Sequence, residues 1–279
     1  MSISATMIKE LRERTGVGMT KCKEALEKSS GDMEEAINYL RKTGMATAVK
    51  KASREAKEGK IAFAETDKCL ALVEVSAETD FVTSNERFVE YLTGISQEVA
   101  ETQPSSLEAF LKQSYSKDPS MTIEEFQGTL VQAIGENIQV KRFLIVPKES
   151  GKTFGVYSHM GGKIVTFVEM QGDAVDVAKD VAMHAAAASP DYLNPESVPE
   201  NVKEQERGIA REQLKGKPEH IMDKILEGKL NAFYDDVCLV RQKFVKDDTV
   251  SVGDFVAQKG KEKGQDLTVT NFIRWSVGE

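Results

Sequence analysis

The sequence predicts an α+β protein. It should have a small N-terminal three-helix domain, two related α/β core subdomains with antiparallel sheets, and a helical hairpin (a coiled coil) inserted in the second. Three observations lead there. Apolar residues at the N-terminus recur at spacings of three and four, which places each set on one helical face. From residue 60 the period shortens to that of strands and alternates with helical stripes. The order strand–strand–helix–strand then occurs twice, the second time interrupted by a proline-punctuated helical segment. The chain has 279 residues, which at roughly 150 residues per domain suggests about two domains. Hydrophobic residues make up 40% and charged residues 29%, a composition that supports folded cores rather than disorder.

The first helix carries Ile8 and Leu11, the second Cys22, Ala25 and Leu26, and the third Met33, Ala36, Ile37 and Leu40. Asp32 with Glu35 resembles a capping box at the start of the third. Gly16, Gly18, Gly31 and Gly44 punctuate the helix ends, which gives a helical domain over 1–45. A unit of that size is near the lower limit for independent folding and suits the holding of a partner. Thr15 to Lys21 superficially suggests a phosphate loop, but no strand precedes it and its glycine spacing fails. Val17 and Met19 sit on this turn, around Gly18. Either they fold back into the small core or they are displayed as an apolar contact, for which Met is suited.

Residues 46–59 are rich in Ala, Lys and Glu and read as a helical connector. The first core subdomain, 60–148, opens with strands at 61–63 and 69–75 joined near Thr66 and Asp67. Thr83 with Glu86 reads as the box that starts the next helix, whose stripe is Phe88, Leu92, Ile95 and Val99. A helix at 123–134 and a strand at 138–146 complete it. The second subdomain, 149–279, has strands at 154–157 and 163–170 around the turn His159-Met160-Gly161-Gly162. A helix near 173–189 follows, and a final strand spans 267–277. The parallel between 138–146 and the final strand suggests an internal duplication, with two unrelated meanders as the rival reading. Pro190, Pro195 and Pro199 break the chain before a helical hairpin at 196–235, with a turn at 215–218. Its tip is either a contact or a solvated excursion. Ser251 with Asp254 starts one more helix, and 259–263 reads as a basic loop.

Residues 1–60 hold 13 basic and 9 acidic groups, so a net charge of -8 conceals a basic end on an acidic body. The basic end is either a solvated helical face or a nucleic-acid patch. The acidic body speaks against non-specific phosphate binding. Cys22, Cys69 and Cys238 are odd in number and far apart, which argues against a disulfide scaffold. No apolar run is long enough to span a membrane, and charged residues occupy the positions where a signal peptide would need an apolar stretch. The expected location is the cytoplasm. His159, His184 and His220 have no metal-ligand spacing, and no nucleophile elbow or phosphate loop is present. No catalytic residue, cofactor or metal site is therefore expected, and His184 reads as a packed histidine.

The informative stretch runs from Glu74 to Val82. Its strand should end near Ala77, so Thr79, Asp80, Phe81 and Val82 fall on a tight strand-to-helix turn. Phe81 is outside both the strand alternation and the helix stripe. It either plugs inward or stands outward as an aromatic anchor. Asp80 either satisfies turn N–H groups or adds a charge to that anchor.

Three separated marks resemble the elongation factor Ts family, which exchanges guanine nucleotide on elongation factor Tu. They are Leu11-Arg-Glu-Arg-Thr-Gly-Val-Gly-Met-Thr-Lys-Cys-Lys-Glu-Ala-Leu26, Glu74 through Val82, and Tyr157-Ser-His-Met-Gly-Gly-Lys-Ile164. The pattern departs at Thr20, where the family often has Met, and at Ser76, where Asn is usual. The resemblance implies a ubiquitin-associated-like fold for the first three helices, docked on the partner's nucleotide domain. It implies that Phe81 inserts between helices of that domain while Thr79, Asp80 and Val82 help disturb the Mg2+ site. His159, Gly161 and Gly162 would press near the same region, and Arg12, Val17, Gly18 and Met19 would grip from the other side. It implies an exchange factor rather than an enzyme, with no direct nucleotide, nucleic-acid or membrane binding. The alternative is a ribosome-associated RNA-binding protein that uses the basic end.

Overall fold

The computed structural model describes residues 3–213 and 219–279, and the expected hairpin turn at 215–218 lies outside the described residues. The architecture is α+β, with helices and antiparallel strand pairs. The chain divides into two compact units. One comprises residues up to 148 with 161–163 and 276–279, the other 149–160 and 164–275.

The first unit begins with α1 (Ala5–Thr15), α2 (Met19–Lys28) and α3 (Met33–Lys51). Their apolar faces meet in a small core of Leu11, Val17, Cys22, Ala25, Leu26, Ala36 and Leu40. Ser4 and Asp32 cap α1 and α3 by accepting from the N–H of Met7 and Glu35. Gly16, at φ 70°, closes α1 in the left-handed conformation that glycine adopts without strain. The expectation that Gly44 ends the third helix is corrected, because α3 continues to Lys51. Gly44 instead permits close helix packing, since a Cβ there would lie 2.9 Å from the Gly128 carbonyl oxygen. The helix thus covers only the first part of 46–59.

The three-stranded sheet of this unit has the order β1 (Glu58–Glu65), β2 (Cys69–Ala77), β5 (Gln139–Pro147), all antiparallel. The central strand, β2, is buried along its whole length, which accounts for its nearly continuous apolar run. Between β2 and β5 lie α4 (Asp80–Thr83), α5 (Glu86–Thr102), α6 (Leu107–Lys112), the small hairpin β3 (Ser114–Tyr115) and β4 (Asp118–Thr122), and α7 (Ile123–Ile134). Phe88, Leu92, Ile95 and Val99 of α5 pack with Val73, Val75, Phe110, Ile123 and Val131 into one core. The sequence reading found neither α6 nor the small hairpin.

The second unit repeats the plan. Strands β6 (Lys152–His159) and β7 (Ile164–Gln171) pair, and the sheet order is β10-β7-β6, with β10 (Thr268–Ser276) last in sequence. Helix α8 (Val175–Ala188) lies so close on this sheet that a Cβ on Gly155 would overlap the backbone of Ala178. Its row of alanines makes that approach feasible. Helices α9 (Glu200–Gln213) and α10 (Glu219–Val237) follow, with Ile209, Ala210, Leu226, Leu230 and Phe233 along the groove between them. The hairpin β8 (Lys243–Phe244) and β9 (Asp247–Ser251) and helix α11 (Val252–Lys263) lead into β10. Residues 259–263 are therefore helical, not a loop. Gly260 is buried against the segment 265–267, and Gly264 caps the helix.

The two units share detailed register. Each small hairpin pairs its ends identically, Ser114 with Thr122 and Lys243 with Ser251. Each runs into a 12-residue helix with a capping box, ended by Gly135 or Gly264. These positions are offset by 129 residues, whereas the first hairpins, 58–77 and 152–171, are offset by 94. The growth from 94 to 129 means 35 extra residues in the second unit, about the length that α9 and α10 occupy. One buried device also recurs. Glu98 accepts from the Ser116 N–H at 3.1 Å and from Gln113 at 3.2 Å. At the equivalent place His184 Nδ1 accepts from the Val245 N–H at 3.1 Å while Nε2 meets Gln242 Oε1 at 3.0 Å. Such correspondence supports a duplication over two unrelated meanders.

Candidate functional site

Strand β2 leaves the sheet at Ala77, and three residues later, at Asp80, the chain enters a short helical turn. Thr79 has extended backbone, and its hydroxyl oxygen accepts from the Val82 N–H at 3.4 Å, capping α4. The Thr83 hydroxyl donates to the Asp80 carbonyl at 2.7 Å. Val82 and Thr83 are buried, and Val82 belongs to the core of the first unit. Asp80 is exposed, and Phe81 is 85% exposed. Of the two orientations open to Phe81, the structure has the outward one: a large aromatic ring stands in solvent beside a carboxylate, over a turn nailed down by its next residue.

The expected helix start differs in detail. Thr83 is not the cap of α5. That role falls to Asn85, whose side chain accepts from the Arg87 N–H at 3.0 Å. Because residues 80–83 close their own turn first, the Thr83 side chain is drawn inward and the cap moves two residues on.

Sequence reasoning also missed the residues that hold this turn. The Thr79 N–H donates to one carboxylate oxygen of Glu136 at 3.0 Å, and its hydroxyl donates to the other at 2.7 Å. In the opposite direction Glu78 accepts from the Asn137 N–H at 2.6 Å and from Arg54 at 3.4 Å. The Asn137 amide donates to the Arg54 carbonyl at 2.7 Å. The partners are 57 and 59 residues apart in sequence, and no local pattern could have paired them.

The N-terminal candidates separate. Val17 is fully buried in the three-helix core, so it is not displayed, whereas Met19 is 54% exposed. Arg12 and Gly18 are exposed as well. The Gly16 carbonyl accepts from the Arg87 guanidinium, which ties this turn to the helix that follows Phe81. A Cβ on Gly16 would strike that guanidinium.

His159 is exposed at the end of β6, stacked on Tyr157 with ring centroids 6.0 Å apart. Met160 beside it is exposed, with a positive φ of 49°. Gly161 and Gly162 also have positive φ. Gly162 is buried where its carbonyl accepts from the Ile61 N–H at 2.8 Å, and a Cβ there would lie 2.7 Å from the Ile61 carbonyl oxygen. Gly162 thus has a packing role of its own.

The three cysteines and His184 are sequestered from solvent. Cys22, Cys69 and Cys238 are free and buried. Burial pushes the Cys238 thiol up to about 11 and also raises that of Cys22. Burial lowers the His184 pKa from its ordinary 6.5. Its Nδ1 accepts a backbone N–H, so the imidazole is neutral. Among the described residues no group of three or more His, Cys, Asp or Glu could hold a metal ion, and no helix is long and apolar enough to cross a membrane. The Phe81 turn thus displays an exposed aromatic ring beside an exposed carboxylate, on a backbone held by Thr79, Val82 and Glu136.

Comparison with known proteins agrees with the marks read from the sequence. The family described as Elongation factor TS matches residues 78–279. Elongation factor Ts of Protochlamydia amoebophila is 58% identical over all of this chain and 99% of its own length. Elongation factor Ts of Chlamydia muridarum is 42% identical over 99% of this chain and 98% of its own. That of Chlamydia caviae is 41% identical over 99% of each. The chain belongs to the elongation factor Ts family.

Proposed function

We propose that this chain is a guanine-nucleotide exchange factor of translation elongation: it binds elongation factor Tu in its GDP form and speeds GDP release so that GTP can enter. Family membership supports that reading, and the single observation that carries its mechanism is the outward Phe81 beside Asp80 on a pinned turn. Phe81 enters between helices of the partner's nucleotide domain. Asp80, with Thr79 and Val82 shaping the turn, disturbs the adjoining Mg2+ and phosphate site. Met19, Gly18 and Arg12 grip the same domain, and His159 with the glycine turn at 161–162 presses beside it. Residues 1–45 act as the docking domain, 46–59 as connector, and 60–148 and 149–279 as the two core subdomains, with the hairpin at 196–235 inserted in the second. The reaction changes no covalent bond, and the setting is the cytoplasm.

The physics is differential binding. Mg2+ demands near-octahedral geometry and joins protein to nucleotide phosphates, so a small shift of the elements that carry it weakens GDP strongly. The coupling is reciprocal: a factor that weakens GDP is weakened equally by GDP. Complexes with both bound are therefore transient, and each ligand can displace the other. The test is direct. Elongation factor Tu loaded with labelled GDP is mixed with this chain and the release of label is timed. Faster release supports the reading, and an unchanged rate refutes it. Retention of RNA alone, steeply reduced by salt, would instead indicate the RNA-binding alternative.

A further inference from the structure

We propose that Glu136 is the positioning residue that holds the Asp80–Phe81 turn in its outward shape, an inference that rests on reading Phe81 as the exchange wedge. With Phe81 85% exposed, the direction of the ring is set by the backbone beneath it rather than by packing of the ring itself. That backbone is a four-residue turn of helix, far below the length at which a helix sustains itself in water. Its shape must be imposed from outside.

Two anchors impose it. At one end Val82 is sunk in the core. At the other, Glu136 binds Thr79 twice, at 3.0 Å through the backbone N–H and at 2.7 Å through the hydroxyl. Hydrogen bonds to an ionised carboxylate are stronger than neutral ones. The second bond does more than tether. A hydroxyl has one proton to donate. Once that proton points at Glu136, the oxygen lone pairs are left for the Val82 N–H, which is the capping bond of the turn. Glu136 thereby orients the cap. Glu78 crosses the other way to the Asn137 N–H at 2.6 Å. The loop before the wedge and the loop after α7 are thus held by two carboxylates pointing in opposite directions. Release of Glu136 removes one anchor of a ring that enters its partner as an ordered unit.

The test uses the full chain with Glu136→Ala and Glu136→Gln. Amide hydrogen exchange is followed over residues 80–83, and GDP release from elongation factor Tu is measured against factor concentration. Fixing one residue's backbone is worth a factor of about 5 to 30. Glu136→Ala is therefore expected to speed amide exchange at 80–83 by about that factor. It should lower the saturating release rate similarly while leaving the half-saturating concentration within about twofold, because Met19 and Arg12 still dock. Glu136→Gln, which keeps one acceptor oxygen, should recover part of both. Unchanged amide exchange at 80–83 overturns the proposal. So does a general rise in exchange through β2 and α5 with a lowered melting temperature, which would mark a merely structural role. If the wild-type chain itself leaves GDP bound, the exchange reading falls, whereas a Glu136→Ala variant as active as the wild type beside a defective Phe81→Ala sinks the positioning role alone.

Discussion

Phe81→Ala separates folding from function, because the ring is almost entirely exposed in the free chain and the proposed mechanism gives it to the partner. Full burial of a phenylalanine side chain is worth about 1.5–3 kcal/mol. With 85% of Phe81 exposed in the free chain, little of that is realised in folding. The substitution should shift stability by no more than about 0.5 kcal/mol, as for other surface changes away from special features. In the proposed complex the same ring is a central anchor, and truncation of such anchors costs about 2–4 kcal/mol. At 1.4 kcal/mol per decade that is a loss of about 30- to 700-fold in exchange efficiency. Urea denaturation reads the first number, and labelled-GDP release from elongation factor Tu at varied factor concentration reads the second. A variant that folds normally yet releases GDP within threefold of the wild type would refute the wedge. A variant that fails to fold would refute the claim that the ring is idle in the free chain.

Three further outcomes follow from the geometry. Val17→Ala removes two buried methyl-sized groups and should destabilise the three-helix core by about 2 kcal/mol. Met19→Ala should leave stability within about 0.5 kcal/mol and weaken partner binding instead, a contrast that denaturation and affinity measurements would show together. The buried His184 predicts an acid sensitivity. Its folded pKa is lowered from 6.5 by burial, so the unfolded chain takes up the proton more readily. The stability it contributes is fully present above about pH 6.5 and is lost as the pH falls from there through the folded value, at no more than about 1.4 kcal/mol per pH unit. Denaturation midpoints between pH 7 and 5 should fall in the wild type and fall less in His184→Gln. Equal slopes would contradict the assignment.

Much of this was legible in the sequence wherever one local period ruled. Stripes such as Phe88, Leu92, Ile95 and Val99 defined α5, and the mismatch of Phe81 with both neighbouring periods marked it as an outlier. The capping box at Ser251 and Asp254 was readable because its groups are three residues apart. Failures came where distant contacts overrode local signals. Gly44 suggests a helix end, but Gly128 on another helix uses its missing side chain for close approach. Residues 259–263 lack an apolar face, yet they are helical, with Lys259 paired to Glu262 and Lys263 to Asp176 at 2.7 and 3.1 Å. Val17 and Met19 were equivalent in sequence, and only the packing of the three helices separates them. The residues that hold the Phe81 turn, Glu78 and Glu136, are carboxylates like many others until the chain folds.

Reciprocal coupling supplies the most direct measurement of the central claim. Affinity of this chain for elongation factor Tu is determined twice, once with the GTPase free of nucleotide and once saturated with GDP and Mg2+. The ratio must equal the factor by which the chain weakens GDP. The account predicts at least about tenfold tighter binding to the nucleotide-free form, or about 1.4 kcal/mol of coupling. Equal affinity for the two forms would contradict it, because a factor that does not distinguish them cannot displace GDP.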